Sequence, residues 1–152
     1  METAESEKRA LRRVVLGYFI VALGYGVAQV LLWLRDPQAE VRHHPYVNYL
    51  LFGTGACSLP LIWMFQGAGA RARKRITMPR ATATITAALA NGIALCGLVD
   101  FLVSRSPDWA VALGLLAGVG FASVFVSLPA LRRRVEAIAA AGSAPPPGEP
   151  EE

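Results

Sequence analysis

Four long apolar runs, separated by short stretches that hold nearly all the charge, set the pattern of this chain. They fall at 14–34, 46–65, 81–103 and 109–131. Each reaches the ~20 residues that a helix rising 1.5 Å per residue needs to cross a hydrocarbon core about 30 Å thick. The pattern predicts an all-α integral membrane protein with four transmembrane helices, arranged as two consecutive hairpins. Its divisions are a lead-in at 1–13, a first hairpin at 14–65, a basic connection at 66–80, a second hairpin at 81–131, and a tail at 132–152. The tail extends the last helix for about two turns until Gly142 ends it, and then becomes a disordered Pro- and Glu-rich segment.

Composition agrees with the pattern. The chain is 54% hydrophobic and 17% charged, and its mean hydropathy of +0.41 lies outside the range of ordinary soluble domains. The first run has 21 residues and ends in LLWLRDP. It is too long for a signal-peptide core and has no small-x-small cleavage site, so it is expected to be retained.

Charge then adds an orientation. All fifteen Lys and Arg residues lie outside the four runs. Four precede the first span, five (Arg71, Arg73, Lys74, Arg75 and Arg80) join the second to the third, and three (Arg132, Arg133 and Arg134) follow the fourth. The other two connections carry only Arg35 and Arg42, and Arg105. The positive-inside rule therefore puts both termini and the basic connection in the cytoplasm, as in a multi-pass protein of a bacterial inner membrane. The basic connection is expected to lie on the anionic inner leaflet, each charge contributing about 1 kcal/mol near the surface. The basic residues carry no interleaved aromatics, and a nucleic-acid partner is not expected.

Small residues suggest how the spans pack. Gly17 and Gly24 in the first, Gly53 in the second, and the GxxxG pair Gly114 and Gly118 in the fourth are the candidates for close helix contact. Pro60, in the second span, is expected to kink it. The third span places Ala87, Asn91 and Ala94 on one face, which is expected to be deeply buried.

The halves also resemble each other. ALGYGVA at 22–28 matches ALANGIA at 88–94 in four of seven positions, and SLP recurs at 58–60 and 127–129. A duplicated two-helix unit would produce this, and so would the ease with which Ala-, Leu- and Gly-rich sequences match themselves.

Candidate chemistry is sparse. Asp100, Asn91, Gln29 and Asn48 are the polar residues that could line a path or contact a ligand within the membrane. Asp100 lies only three residues from the end of its span, about 4.5 Å of helix, which predicts an interfacial carboxylate satisfied by water or Arg105. His43 and His44 are the candidates for a metal or haem ligand. Adjacent residues point their rings apart, so a metal would need further ligands from elsewhere. Cys57 and Cys96 form no CxxC pair and are expected to be buried free thiols in the spans. No nucleophile, metal set or phosphate-binding loop is arranged anywhere, so neither enzymatic activity nor a cofactor is expected. Two functions follow. One is a non-catalytic accessory subunit, assembly factor or scaffold that packs its small-residue faces on other membrane subunits or on copies of itself. The other is a small homo-oligomeric transporter or channel with a polar path near Asp100, Asn91 and Gln29.

Overall fold

The structure, a computed structural model, describes residues 2–36, 41, 44–71 and 77–142. It consists of four helices: α1 (Glu2–Arg35), α2 (Pro45–Arg71), α3 (Thr77–Ser104) and α4 (Pro107–Gly142). Each contains a stretch long and apolar enough to cross a membrane. The helices outrun the apolar spans. α1 takes in the polar lead-in, α2 and α3 extend into the segment expected to be the basic connection, and α4 continues through Arg132 to Arg134. In α1 and α4 the added residues are mostly Glu, Lys, Arg and Ala, whose good helix propensity prolongs a helix once the span has nucleated it. α2 continues through Pro60 and α4 through Pro129; both prolines lie on exposed faces.

α3 is the central element. It packs against all three other helices, and α4 does the same, whereas α1 and α2 make no contact with each other among the described residues. The α3–α4 hairpin is therefore the middle of the bundle, with α1 and α2 on separate flanks. The first pair of helices therefore does not pack on itself as the second pair does. The matched segments also differ: Ala90 is fully buried, whereas its counterpart Gly24 faces open space.

The sequence of α3 accounts for its position. Ala83, Ala87, Ala90 and Ala94 follow helical spacing and are all buried, so neighbouring backbones can come close on that side. The most apolar stretch of α3 is 44% buried, against 6% for α1. On α4, Leu113, Ala117, Phe121, Val124 and Leu128 supply the facing surface. α1 is held by Leu11 and Val15, both fully buried. Phe19 adds to this, meeting Phe121 and Phe125 edge-on at 5.3 and 5.4 Å.

Close approach depends on glycines other than the expected ones. A Cβ at Gly55 would lie 2.8 Å from Leu113 Cδ2, one at Gly97 3.2 Å from Leu113 Cβ, and one at Gly120 3.2 Å from Ala90 Cβ. A Cβ at Gly17, Gly24, Gly53, Gly114 or Gly118 would meet nothing within 4 Å. The expected packing glycines thus take no part in packing within this chain.

Polar pairs tie the ends together. Lys8 of α1 pairs with Glu136 of α4 and, at 3.0 Å, with Glu5, while Arg80 of α3 reaches Glu7 of α1 at 3.6 Å. The start of α1, the start of α3 and the end of α4 thus share one end of the bundle. On the same side, Ser123 of α4 donates to Gln66 Oε1 of α2 at 3.0 Å.

Candidate functional site

The opposite end of the bundle holds the largest concentration of buried polar groups. Asp100, in the last turns of α3, is fully buried, as is Ser104 one turn further on. Asn48, in the first turn of α2, is buried beside them. Trp109, at the start of α4, covers the group. It meets Tyr49 and Phe52 of α2 edge-on at 5.5 and 5.4 Å.

The hydrogen bonds define the Asn48 amide. Its NH2 donates to Asp100 Oδ1 at 3.0 Å and to the His44 carbonyl at 3.1 Å, while its oxygen accepts from Trp109 Nε1 at 3.3 Å. The opposite orientation would set the amide oxygen against two acceptors, so the network fixes the amide. Ser104 Oγ donates to the Asp100 carbonyl at 2.8 Å and lies 3.3 Å from Asp100 Oδ2. It also accepts from the Ser106 amide at 3.1 Å. Asn48 thus joins all three helices through one side chain.

Local structure brings these groups together. α3 ends where Arg105 adopts a left-handed conformation with φ 56°, the position after a helix that usually holds glycine. Its amide bonds to the Phe101 carbonyl at 2.9 Å. α4 begins two residues later with Pro107, whose fixed φ suits a helix start. This short turn sets Trp109 beside the last turns of α3.

Arg105 forms no ion pair with Asp100, and the carboxyl is shut off from water within the end of the bundle. The Arg105 guanidinium stands 5.9 Å from the centre of the Phe101 ring, and the carboxyl faces neutral donors from α2 and α3. The rest of the predicted polar path is more dispersed. Gln29 Nε2 of α1 lies near Gly97, 3.5 Å from where a Cβ would sit there, about one helical turn from Asp100. Asn91 lies nine residues before Asp100, about 13 Å along the helix, and its Oδ1 is buried with no hydrogen-bond partner. The structure therefore joins Asp100 to Asn48, sets Gln29 a turn away, and leaves Asn91 apart.

Gln29 also borders a groove of about 470 Å³ between α1 and α4, lined by Phe19, Leu23, Gly26, Gly114 and Gly118 among others. The GxxxG pair forms part of this groove and contacts no other helix closely.

Of the remaining candidates, His44 is exposed and serves the site only through its backbone carbonyl. Arg80 is engaged with Glu7. His43, Arg73, Lys74 and Arg75 lie outside the described residues, and Arg71 enters only as the last residue of α2. Cys57 and Cys96 are free thiols but not the buried pair expected: Cys57 is exposed, on a face that no other helix covers, and Cys96 is half-buried. Among the described residues, no three His, Cys, Asp or Glu side chains gather closely enough to hold a metal.

Ser104, Ser106 and Trp109 were not singled out from the sequence. Asp100 and Ser104 stand at i, i+4, a spacing that puts two side chains on one helical face. Nothing within one stretch signals that Trp109 reaches Asn48. Compared with family models, curated proteins and solved structures, the chain matches none.

Proposed function

We propose that this chain is a non-catalytic four-helix membrane protein that acts as an accessory subunit, assembly factor or scaffold. It docks on another membrane subunit or on a further copy of itself along the α1–α4 side. The observation that carries this reading is the open GxxxG pair. In a bilayer an exposed Leu or Val is ordinary, because lipid tails are as apolar as its side chain. Glycine in a helix interior is different: it costs roughly 0.5–1 kcal/mol relative to Ala and is useful where another backbone comes close. Gly114 and Gly118 meet nothing in this chain, and the groove beside them is bordered by the least buried helix. The distribution of basic residues supports termini in the cytoplasm of a bacterial inner membrane, with the segment around Arg71, Arg73, Lys74, Arg75 and Arg80 on the anionic leaflet.

Cross-linking in native membranes, followed by purification in mild detergent, tests the reading. The wild-type chain is expected in a complex, and Gly114→Leu/Gly118→Leu should release it as a folded monomer. A wild-type chain recovered only as a monomer overturns the proposal.

A second reading, a small homo-oligomeric transporter or channel, draws on the buried Asp100 and its Asn48 partner, with Gln29 a turn away and Asn91 further along α3. A carboxyl buried within a membrane segment is costly and is characteristic of ion pathways. Reconstituted flux abolished by Asp100→Asn would favour this reading, and flux unchanged by it would remove it.

A further inference from the structure

Of the positive charges at the end of the bundle where α1 and α3 begin, only some are paired. Lys8 and Arg80 are neutralised by Glu5, Glu136 and Glu7. Arg133 and Arg134 take no part in any such pair among the described residues. They line a hollow of about 700 Å³ on the outer side of α4, together with Val126, Pro129, Ala130 and Ile138.

Among the described residues only α4 lines this hollow, and its wall follows helical geometry. Val126, Ala130, Arg133, Ala137 and Ala141 stand at i, i+4, i+7, i+11 and i+15, a single stripe. The buried residues Val124, Leu128, Leu131 and Val135 face the bundle instead. Along the stripe, Val126 and Ala130 lie within the fourth apolar run, Arg133 follows immediately after that run ends, and Ala137 and Ala141 continue beyond it.

An occupant that matches this order has an apolar portion on the membrane side and an anionic portion at the membrane surface. We propose that this face of α4 binds an anionic phospholipid, with an acyl chain along Val126 and Ala130 and the phosphate at Arg133 and Arg134. Arginine suits the role, because its planar fork meets phosphate oxygens through paired hydrogen bonds. An acidic protein segment would satisfy the arginines but leave the apolar half of the hollow unmatched. A zwitterionic lipid would carry its own cation towards the arginines and lose much of the attraction.

Native mass spectrometry of the full chain in mild detergent, titrated with phosphatidylglycerol or with phosphatidylcholine of the same acyl chains, tests the site. The wild type should prefer phosphatidylglycerol. Each arginine near an anionic surface contributes about a factor of five, so Arg133→Gln/Arg134→Gln should bind phosphatidylglycerol roughly thirtyfold more weakly, with phosphatidylcholine little changed. Arg12→Gln/Arg13→Gln, at the same end of the bundle, should keep the preference. Ala130→Trp, which fills the hollow and leaves every charge in place, should weaken both lipids; it keeps the test decisive if the double arginine variant does not fold. Four results would overturn the proposal: an unchanged preference in Arg133→Gln/Arg134→Gln, an equal loss in Arg12→Gln/Arg13→Gln, displacement of the lipid by inorganic phosphate with Ala130→Trp without effect, or tighter binding of a polyglutamate peptide than of phosphatidylglycerol.

Discussion

Replacing Asn48 by Ala removes a side chain that hydrogen-bonds to α3 and α4 at the same time. The amide makes three hydrogen bonds: two donated, to Asp100 Oδ1 and the His44 carbonyl, and one accepted from Trp109 Nε1. A buried polar atom left without a partner costs about 1–3 kcal/mol. Between membrane helices the measured coupling is smaller, about 0.6 kcal/mol on average and up to ~1.7. Asp100 is fully buried and, among the described residues, its carboxyl has only the 3.3 Å Ser104 contact besides Asn48, so the upper part of that range applies to it. The half-buried Trp109 can recover a partner more easily. We expect Asn48→Ala to destabilise the bundle by about 2 kcal/mol, on these magnitudes. In a double-mutant cycle with Asp100→Ala, about 1 kcal/mol should appear as coupling. Reversible unfolding in mixed micelles, followed by loss of helical circular dichroism, gives these values. Asn91→Ala is the control. Its buried Oδ1 has no partner to lose, so the change should be neutral or mildly stabilising. If Asn48→Ala and Asp100→Ala add within ~0.3 kcal/mol, the limit for independent sites, the two side chains do not depend on each other and the reasoning fails.

Two further predictions separate features that look alike in sequence. Gly120→Ala places a methyl 3.2 Å from Ala90 Cβ and 3.3 Å from Ile62 Cδ1, so it should cost about 1 kcal/mol or more through overpacking, whereas Gly118→Ala in the same helix should stabilise the isolated chain by several tenths; equal effects in thermal unfolding would show that the two positions do not differ. Arg105 bears the strain of φ 56°, so Arg105→Gly should be about 1 kcal/mol more stable than Arg105→Ala, a difference that the same unfolding assay resolves and that its absence would refute.

The four helices were legible because length and apolarity suffice to define a span, whatever it packs against. Their partners were not. The periodicity of small residues tells how closely a helix can be approached but not by which neighbour, so Gly114 and Gly118 looked no different from Gly55, Gly97 and Gly120. Only the last three have another helix's side chain within 3.2 Å of the added carbon. Asp100 shows the same limit. Its distance from the end of the span suggested contact with water, but what encloses it comes from Asn48 on α2 and Trp109 on α4, far away in sequence. The short link through Arg105 was visible as a turn. That it turns tightly enough to set Trp109 beside the last turns of α3 depends on a left-handed residue that no glycine announced.

The separation of α1 from α2 bears on how the chain is made. A ribosome delivers the amino terminus first, and these two helices leave the exit tunnel before anything they can pack against exists. They are expected to insert as independent rods, each holding its own backbone hydrogen bonds but with no neighbour from this chain. α3 reaches both flanks when it arrives, and α4 then closes the middle. Assembly therefore waits for the last half of the message, and a truncation after α2 leaves two unassociated spans rather than half a bundle.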